Sequence, residues 1–446
     1  MIQDFTKKAI FFYMFTFLLL GCKAEREPIN VTSKDLHSAI DKVVDIMVND
    51  IFSPPVASRI FVYPNIAAYE IMAQNNSNYN SLQGQITDLK SIPKVDSELV
   101  NYNLAALIAH LEVSKTLVYS KNMMQNYSDS LYTLWSSKNK KEFEASKNYA
   151  MQVADHINTW KNTDNYTETR TMPQYVVNQK DPARWQKTPP AFMDGIEPHW
   201  NEIRPFVMDF AAQFKPIPPP EFSMDKSALF YKELKEVYDI SNAITKNGDA
   251  SEEVEIAQFW DCNPYVSVTR GHLMFAVKKI TPGAHWIGIC KIACNESNSS
   301  FEDTIFTYTK TSIAIADAFI SCWDEKYRSN LVRPETLINN YFDENWKPIL
   351  QTPPFPEYTS GHSVVSGAAA IILTSIFGDN FAFDDDTEVK YGLPIRSFET
   401  FNKAADEAAL SRMYGGIHYR AAVEVGLRQG RDLGSFVIEN LKMKVN

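Results

Sequence analysis

Apolar residues recur three and four positions apart along most of the chain, which is the period of an amphipathic helix. Leu36, Ile40, Val43, Met47 and Ile51 form one such stripe and predict a helix over residues 34–51. The same pattern predicts helices over 56–73, within the amphipathic stretch 97–135, and over 140–160, 224–245, 252–260, 267–280, 284–293, 301–328, 361–377, 397–414 and from 418 onward. Strand alternation is not sustained over the first half. The pattern predicts an all-α fold, a large helical bundle.

Prolines interrupt this pattern in residues 162–220, where their density prevents long helices. We place a soft boundary in this segment. The prediction is an N-terminal helical layer over 33–200 and a C-terminal helical catalytic domain over 201–446. Near the C-terminus, Gly426, Gly430 and Gly434 recur every four residues. They leave one helix face bare, which favours close helix packing.

The first 22 residues have the pattern of an export signal. Lys7 and Lys8 precede an apolar run from Ala9 to Leu20 that is too short to span a bilayer comfortably. The ending Leu19-Leu20-Gly21-Cys22 resembles a bacterial lipoprotein signal with its lipobox. This implies a signal over 1–21, lipidation of Cys22, a tether over 22–32 and an outer-membrane anchor facing the periplasm or the cell surface. An ordinary signal peptide is the alternative. Since no later segment has 18 uninterrupted apolar residues, we expect no transmembrane helix after Cys22.

Composition and charge narrow the classes of function. The chain is 45% hydrophobic, as in globular proteins, and its net charge of −10 at pH 7 argues against a nucleic-acid partner. Any anion site must therefore be local. The cysteines after Cys22 are Cys262, Cys290, Cys294 and Cys322, which permit three pairings, and we expect mainly buried free thiols. The acidic run 384–386 is interpreted as a solvated loop.

Three segments carry interpretable chemistry. Ser360-Gly361-His362 opens an apolar helix, so a capping serine, a glycine and a histidine meet at a helix N-terminus, which favours anions. Lys326 and Arg333 are seven residues apart, so both can project from one helix face. Ser411-Arg412 is followed after five residues by His418. Together these cations and histidines can surround one tetrahedral oxyanion.

The ordered blocks Lys326-x6-Arg333-Pro334, Ser360-Gly361-His362 and Ser411-Arg412-x5-His418 resemble the signature shared by vanadium-dependent haloperoxidases and type 2 phosphatidic acid phosphatases. The context 259–264 and 322–327 resembles the bacterial haloperoxidase-like branch. The resemblance implies an α-helical bundle in which vanadate or phosphate is bound at one site.

The resemblance also implies roles for the individual residues. Lys326, Arg333, Ser360, Gly361 and Arg412 would bind the oxyanion. His418 would be the vanadium ligand or, in a phosphatase, the phosphorylated nucleophile, and His362 the acid–base group; Lys326 would also polarise the bound reactant. The implied partners of a haloperoxidase are hydrogen peroxide, a halide and a small organic acceptor.

Two positions depart from the family pattern. Thr359 stands where the phosphatases usually have proline, and Ala422 stands four residues after His418, where an aspartate usually orients the imidazole. Glu357 is a candidate to support the site instead. Phe355 and His285 are further candidates for the pocket wall.

Three functions remain open. The first is a vanadate-dependent haloperoxidase-like enzyme, and the second is an acid phosphatase acting through a phosphohistidine. The third is a non-catalytic surface lipoprotein that binds an oxyanion or a partner, which the alanine at position 422 favours.

Overall fold

The computed structural model describes residues 27–247, 251–264, 266–270, 273–276 and 279–445. Helices dominate this part of the chain, which confirms the all-α prediction. Before residue 250 they are α1 (Ser33–Asp50), α2 (Pro54–Gln74), α3 (Tyr102–Lys115), α4 (Lys121–Lys138), α5 (Lys140–Lys161), α6 (Tyr166–Thr169) and α7 (Leu229–Asn247). The later helices are α8 (Glu252–Phe259), α9 (Pro282–Glu296), α10 (Phe301–Ser329), α11 (Pro334–Tyr341), α12 (Gly361–Phe377), α13 (Phe401–Tyr414) and α14 (Arg420–Asn440).

Two small hairpins accompany the helices. Strands β1 (Ser267–Arg270) and β2 (Leu273–Ala276) pair antiparallel, so the helix predicted over 267–280 is wrong. Strands β3 (Phe383–Asp385) and β4 (Arg396–Phe398) form the second hairpin, with Phe383 opposite Phe398. Neither hairpin was predicted, because segments of three or four residues are too short to establish a period of two.

Several helix boundaries differ from the prediction for local reasons. The stretch 97–135 is divided into α3 and α4 by residues 116–120. Ser397 lies in β4, and the residue that caps α13 is Thr400, whose side chain accepts a hydrogen bond from the Lys403 N–H. Helix α10 ends at Ser329, with Asn330 in the left-handed region at its C-cap. Lys326 and Arg333 therefore do not share a helix face, and that part of the prediction is wrong.

The glycines of α14 fit it closely against α12. A Cβ atom added to Gly430 would lie 2.0 Å from the Val364 carbonyl oxygen, and one added to Gly434 would lie 2.9 Å from that of Ala368. From the other side, a Cβ atom at Gly367 would lie 2.6 Å from the Leu427 carbonyl. The predicted bare face is confirmed, and it places the start of α12 beside the start of α14.

One large hydrophobic cluster runs through both halves of the chain, from Ile29 to Met443. Packed structure begins inside the segment predicted as a tether, since Ile29 and Val31 are buried in this cluster. No described helix is both long enough and apolar enough to cross a membrane. Cys22 and the predicted signal lie outside the described residues, and the boundary at 200/201 stays a prediction. Cys262, Cys290, Cys294 and Cys322 are all buried free thiols.

The proline-rich segment is held against the helices by buried carboxylates. Asp164 accepts hydrogen bonds from Arg59 at 2.5 Å and from the Tyr63 hydroxyl at 2.9 Å. Asp317, in the middle of α10, accepts three backbone N–H groups, those of Phe206, Val207 and Met208, at 2.7–3.1 Å. These bonds fix an irregular segment that has almost no repetitive structure of its own.

Candidate active site

A small cavity of about 30 Å³ lies where the three predicted blocks meet. Gly361 and His362 contribute its wall at the N-terminus of α12, Arg412 contributes from the last turn of α13, and His418 from the loop before α14. The remaining wall is mostly apolar or neutral: Pro54, Cys262, Asn263, Pro282, Phe319, Trp323, Pro353 and Phe355. The fold thus brings both predicted histidines and one predicted cation to a single enclosed space.

His418 is held from both sides of its ring. Its Nδ1 lies 2.7 Å from Glu357 Oε1, which also accepts the Tyr419 N–H at 2.9 Å. Its Nε2 lies 3.0 Å from Arg333 Nη1. Because the guanidinium can only donate, Nε2 is the acceptor and Nδ1 carries the hydrogen. Glu357 therefore fixes the tautomer in which Nε2 carries the lone pair, and a ligand at Nε2 would take the place of the bond from Arg333.

The carboxylate that the family pattern places at position 422 comes here from a different part of the chain. Ala422 is buried, and its carbonyl oxygen accepts the Ser360 N–H at 3.0 Å. Glu357 does not line the cavity but lies behind His418, and its own N–H donates to the Leu331 carbonyl at 3.0 Å. A fully buried carboxylate next to the imidazole thus supplies the orienting contact that the sequence lacks after His418.

The three predicted cations are buried around this histidine. Arg333 donates from Nε to the Phe355 carbonyl at 3.0 Å and from Nη1 to that of Ile417 at 2.8 Å. Arg412 donates from Nη1 to the Trp260 carbonyl at 2.9 Å. Burial lowers the pKa of Arg333 to about 10, which still leaves it charged at neutral pH.

Lys326 is bound to the chain segment that leads into α12. Its Nζ lies 2.6–3.0 Å from the carbonyl oxygens of Pro356, Glu357 and Thr359. Burial lowers the pKa of Lys326 to about 7, whereas three carbonyl acceptors favour the protonated form. In this geometry Lys326 supports the segment 356–360 and contributes its charge to the site from behind it.

The start of α12 has the predicted cap. The Ser360 hydroxyl accepts the Ser363 N–H at 3.3 Å, which confirms Ser360 as the N-cap residue. Gly361 lines the cavity, and a Cβ atom there would make an ordinary van der Waals contact with the Trp323 ring at 3.5 Å. His362 follows in the first turn and borders the same space.

The unpaired polar atoms indicate what the site can bind. Arg333 Nη2, Arg412 Nε and His362 Nε2 are buried, and none of them has a hydrogen-bond partner within the part of the chain that the structure describes. Buried polar groups are nearly always paired, and buried cations are strongly destabilising unless they are neutralised. A small tetrahedral oxyanion supplies acceptors and negative charge at once. The residues present therefore fit such an anion.

Both imidazoles are suited to binding and proton transfer in the neutral form. Burial, reinforced by Arg333, holds the pKa of His418 well below its ordinary value. Burial, reinforced by Arg412, does the same for His362, while a hydrogen bond to the Trp260 backbone acts in the opposite direction. Neutral His418 keeps a lone pair for a ligand, and the pKa of His362 will rise when an anion is bound nearby.

Phe355 and His285, the two other predicted wall residues, differ in their positions. Phe355 lies in the wall, with its ring centroid 5.0 Å from that of Trp323 and 5.1 Å from Lys326 Nζ. His285 does not line the cavity, because it is buried behind Trp260 and bound to Asp385 at 2.8 Å. Asp385 is thus fully buried, and the solvated loop expected at 384–386 is wrong for this residue.

Several residues that line the cavity were not predicted from the sequence. Cys262, Asn263 and Trp323 belong to the two stretches whose context resembled the haloperoxidase-like branch, which was the available signal. Pro54 and Phe319 carry no such signal. They reach the cavity from α2 and α10, which only the packing of the bundle brings together.

Comparison with known proteins gives consistent matches to one family. The family model described as the VCPO second helical-bundle domain matches residues 306–446. A vanadium-dependent bromoperoxidase of Corallina officinalis is 30% identical over 145 residues, which is 30% of this chain. That match spans only 23% of the bromoperoxidase.

Solved structures extend the likeness to the whole chain. The crystal structure of a bacterial vanadium-dependent iodoperoxidase is 64% identical, with a TM-score of 0.92, and the match covers 95% of this chain and all of that one. A holo-type bacterial vanadium-dependent chloroperoxidase matches at 15% identity and a TM-score of 0.63, over 90% of this chain and 92% of that one, and shows the shared fold alone. The 64% identity to the iodoperoxidase over its full length shows that the chain belongs to the vanadium-dependent haloperoxidase family.

Proposed function

We propose that this protein is a vanadate-dependent haloperoxidase that oxidises a halide with hydrogen peroxide, and that iodide is its preferred halide. The observation that carries the proposal is the buried set of unpaired donors around His418, in a chain that is 64% identical to an iodoperoxidase over that protein's full length. When bound, vanadate supplies Lewis-acid activation of hydrogen peroxide toward attack by the halide.

The residues of this chain have separate tasks in the proposal. Arg333, Arg412 and the N-terminus of α12 at Ser360 and Gly361 hold the oxyanion, and Lys326 adds charge. His418 binds through Nε2, supported by Glu357. His362 gives and takes the proton as peroxide enters and product leaves, because its Nε2 has no other partner.

The wall of the cavity supports the choice of halide. Phe319, Trp323 and Phe355 give it an apolar side, and Lys326 and Arg333 lie behind this side, each 5.1 Å from the Phe355 ring. Desolvation of an anion costs less as the ion becomes larger, so such a wall admits iodide more readily than chloride. The oxidised halogen then reacts with a small organic acceptor.

The test is peroxide-dependent oxidation of halides by purified protein loaded with vanadate. We expect iodide oxidation, seen as triiodide absorbance, with weaker or no activity on bromide and chloride. His418→Ala should abolish it, whereas His199→Ala, which changes a histidine bound to the Pro173 carbonyl elsewhere, should not. Absence of activity across acidic to neutral pH in vanadate-loaded, folded protein contradicts the proposal.

An acid phosphatase is the second candidate, and the contact of Glu357 with His418 favours it specifically. A phosphohistidine needs a carboxylate to stabilise the imidazolium, and Glu357 Oε1 lies 2.7 Å from the ring, where the positive charge of an imidazolium would favour the ionised form of Glu357. This function requires phosphate release from a simple ester without vanadate and inhibition by vanadate. Activation by vanadate distinguishes the haloperoxidase. Ala422 favoured a non-catalytic protein because no carboxylate follows His418 at that position. Glu357 supplies this contact instead, so that argument no longer holds.

We also propose that the chain is exported and anchored by lipid at Cys22. The support is the pattern of residues 7–22, with basic residues, a short apolar run and a cysteine in the order of a lipoprotein signal. Metabolic labelling with a fatty acid should modify the wild-type protein but not Cys22→Ser. Labelling that persists in this variant, or its absence from the wild type, contradicts the proposal.

A further inference from the structure

A second group of ligand-type side chains lies beside the active-site cavity and takes no part in the proposed reaction. Cys262, His285 and Glu388 are all buried, and one ligand atom of each lies within 4.8 Å of the others. They come from three separate parts of the fold: the segment after α8, helix α9 and the short 3-10 turn that follows β3. The sequence gives no spacing signal for this set.

The two distances at His285 Nδ1 match those between ligands of one metal ion, although the contact with the thiol is also a hydrogen bond in this structure. Cys262 Sγ is 3.6 Å away and Glu388 Oε1 is 3.5 Å away. Two ligands on a tetrahedral zinc ion are separated by about 3.6 Å for sulfur and nitrogen and about 3.3 Å for nitrogen and oxygen. The remaining pair, sulfur and carboxylate oxygen, lies within 4.8 Å, so a zinc ion fits among the three atoms once the Cys262 and Glu388 side chains close on it.

The other ring nitrogen is held as metal-binding histidines usually are. His285 Nε2 lies 2.8 Å from Asp385 Oδ2, and it also lies 2.8 Å from the hydroxyl of Thr387, which is itself bonded to Asp385 at 2.6 Å. A carboxylate on the far nitrogen directs the lone pair of Nδ1 toward the metal and makes it a better ligand. The ring is also stacked on Trp260 at 4.4 Å, which fixes its plane.

We propose that Cys262, His285 and Glu388 bind one zinc ion, with Asp385 orienting the histidine. Cysteine, histidine and carboxylate are the donor types that zinc takes, and three protein ligands leave a fourth position for water. Asp261, the residue before Cys262, has its Oδ1 buried and unpaired among the described residues. Thr387, the residue before Glu388, lines a neighbouring cleft of about 390 Å³.

The site has a consequence for the active-site cavity. Cys262 is part of the cavity wall, and the Trp260 carbonyl accepts a hydrogen bond from Arg412. A zinc ion would join the segment 260–262 to α9 and to the turn at Glu388. It would thereby stabilise the wall that positions Arg412.

The experiment is a titration of untagged, chelator-treated full-length protein with zinc, and separately with cobalt, followed by elemental analysis. We expect one ion per chain, a thiolate-to-cobalt charge-transfer band and a higher unfolding temperature with zinc. The cobalt band needs no variant, so it reports thiolate ligation even if a substitution prevents folding. A folded wild-type protein without that band overturns the proposal and leaves a proton as the occupant at His285.

Variants locate the site. Cys262→Ala and Glu388→Gln should weaken zinc binding by about 100-fold or more, because each removes a ligand. Cys290→Ala is the matched control, since Cys290 is an equally buried thiol on the helix that carries His285. Equal binding by wild-type protein and Cys262→Ala overturns the assignment.

Discussion

At the scale of single residues, the site depends on how its few charges are paired. His418 has a carboxylate on one nitrogen and a guanidinium on the other, although no carboxylate follows it at the usual distance in the sequence. The relation between Glu357 and His418 spans 61 residues, so it becomes visible only when the chain is folded. The sequence named Glu357 as a candidate, but its position two residues before Thr359 does not show that its side chain reaches His418.

Replacing Glu357 tests its role as a positioning residue. We expect Glu357→Ala to weaken vanadate binding about 10- to 100-fold, since the imidazole loses its orienting acceptor. Glu357→Gln keeps an acceptor oxygen and should recover part of this loss. The affinity for vanadate and the ¹⁵N shifts of the His418 ring measure the two effects. Glu424→Gln, on an exposed face of α14, is the control, and an equal effect there would contradict the role.

Anion binding should weaken as the pH rises. Burial lowers the pKa of Lys326 to about 7, so a positive charge is lost above that pH. Burial raises the pKa of Glu357 to about 8, so Glu357 gains its negative charge above pH 8. Both changes oppose an anion, and affinity should be highest below pH 7 and fall up to pH 9.

Sulfate is the suitable probe for this dependence, because its charge is constant over the range. Its dissociation constant can be measured by calorimetry at pH 6, 7.5 and 9. Lys326→Met should bind more weakly at pH 6 and show a flatter profile. An affinity that rises with pH would contradict the assigned directions.

At the scale of elements, the contact between α12 and α14 brings the residues at the start of α12 next to the loop that carries His418. The start of α12 carries Ser360 and His362, and the loop before α14 carries His418. The bond from the Ser360 N–H to the Ala422 carbonyl joins the two starts directly. The glycine spacing predicted this packing because a missing side chain on every fourth residue leaves a groove along the helix.

Filling that groove should destabilise the protein. Gly430→Ala would place a methyl group 2.0 Å from the Val364 carbonyl, so the helices must separate. We expect a loss of about 3 kcal/mol in the free energy of unfolding, at the upper end for overpacking. Denaturant unfolding measures it. Ser435→Ala, exposed on the same helix, should leave stability unchanged. A similar stability for both variants would contradict the close packing.

At the scale of the whole molecule, a long irregular segment is held in place by side chains rather than by its own structure. Asp317 accepts three consecutive backbone N–H groups from residues 206–208, and Asp164 holds the start of the segment to α2. The prolines of 162–220 predicted irregularity, but no local pattern predicts which distant carboxylate will hold the chain.

Removing the Asp317 carboxylate should release this segment locally. Asp317→Ala leaves three buried N–H groups unpaired, and each costs about 1 kcal/mol or more. We expect lower stability and faster cleavage between residues 206 and 220 in limited proteolysis followed by mass spectrometry. Asp209→Ala removes an exposed carboxylate of the same segment and is the control. Unchanged cleavage in Asp317→Ala would contradict the role.

The sequence by itself determined the helical class, most helix positions, the Ser360 cap, the bare face of α14 and part of the cavity lining, namely Phe355, Gly361, His362, Arg412 and His418. These features depend on local periodicity and on residue types at fixed spacings, which a linear chain displays. The tertiary structure decided the rest: the acceptor for His418, the actual bonds of Lys326, the walls from α2 and α10, and the meeting of Cys262, His285 and Glu388. Those contacts join residues far apart in the chain, and their partners are selected by burial and packing, which no local pattern records.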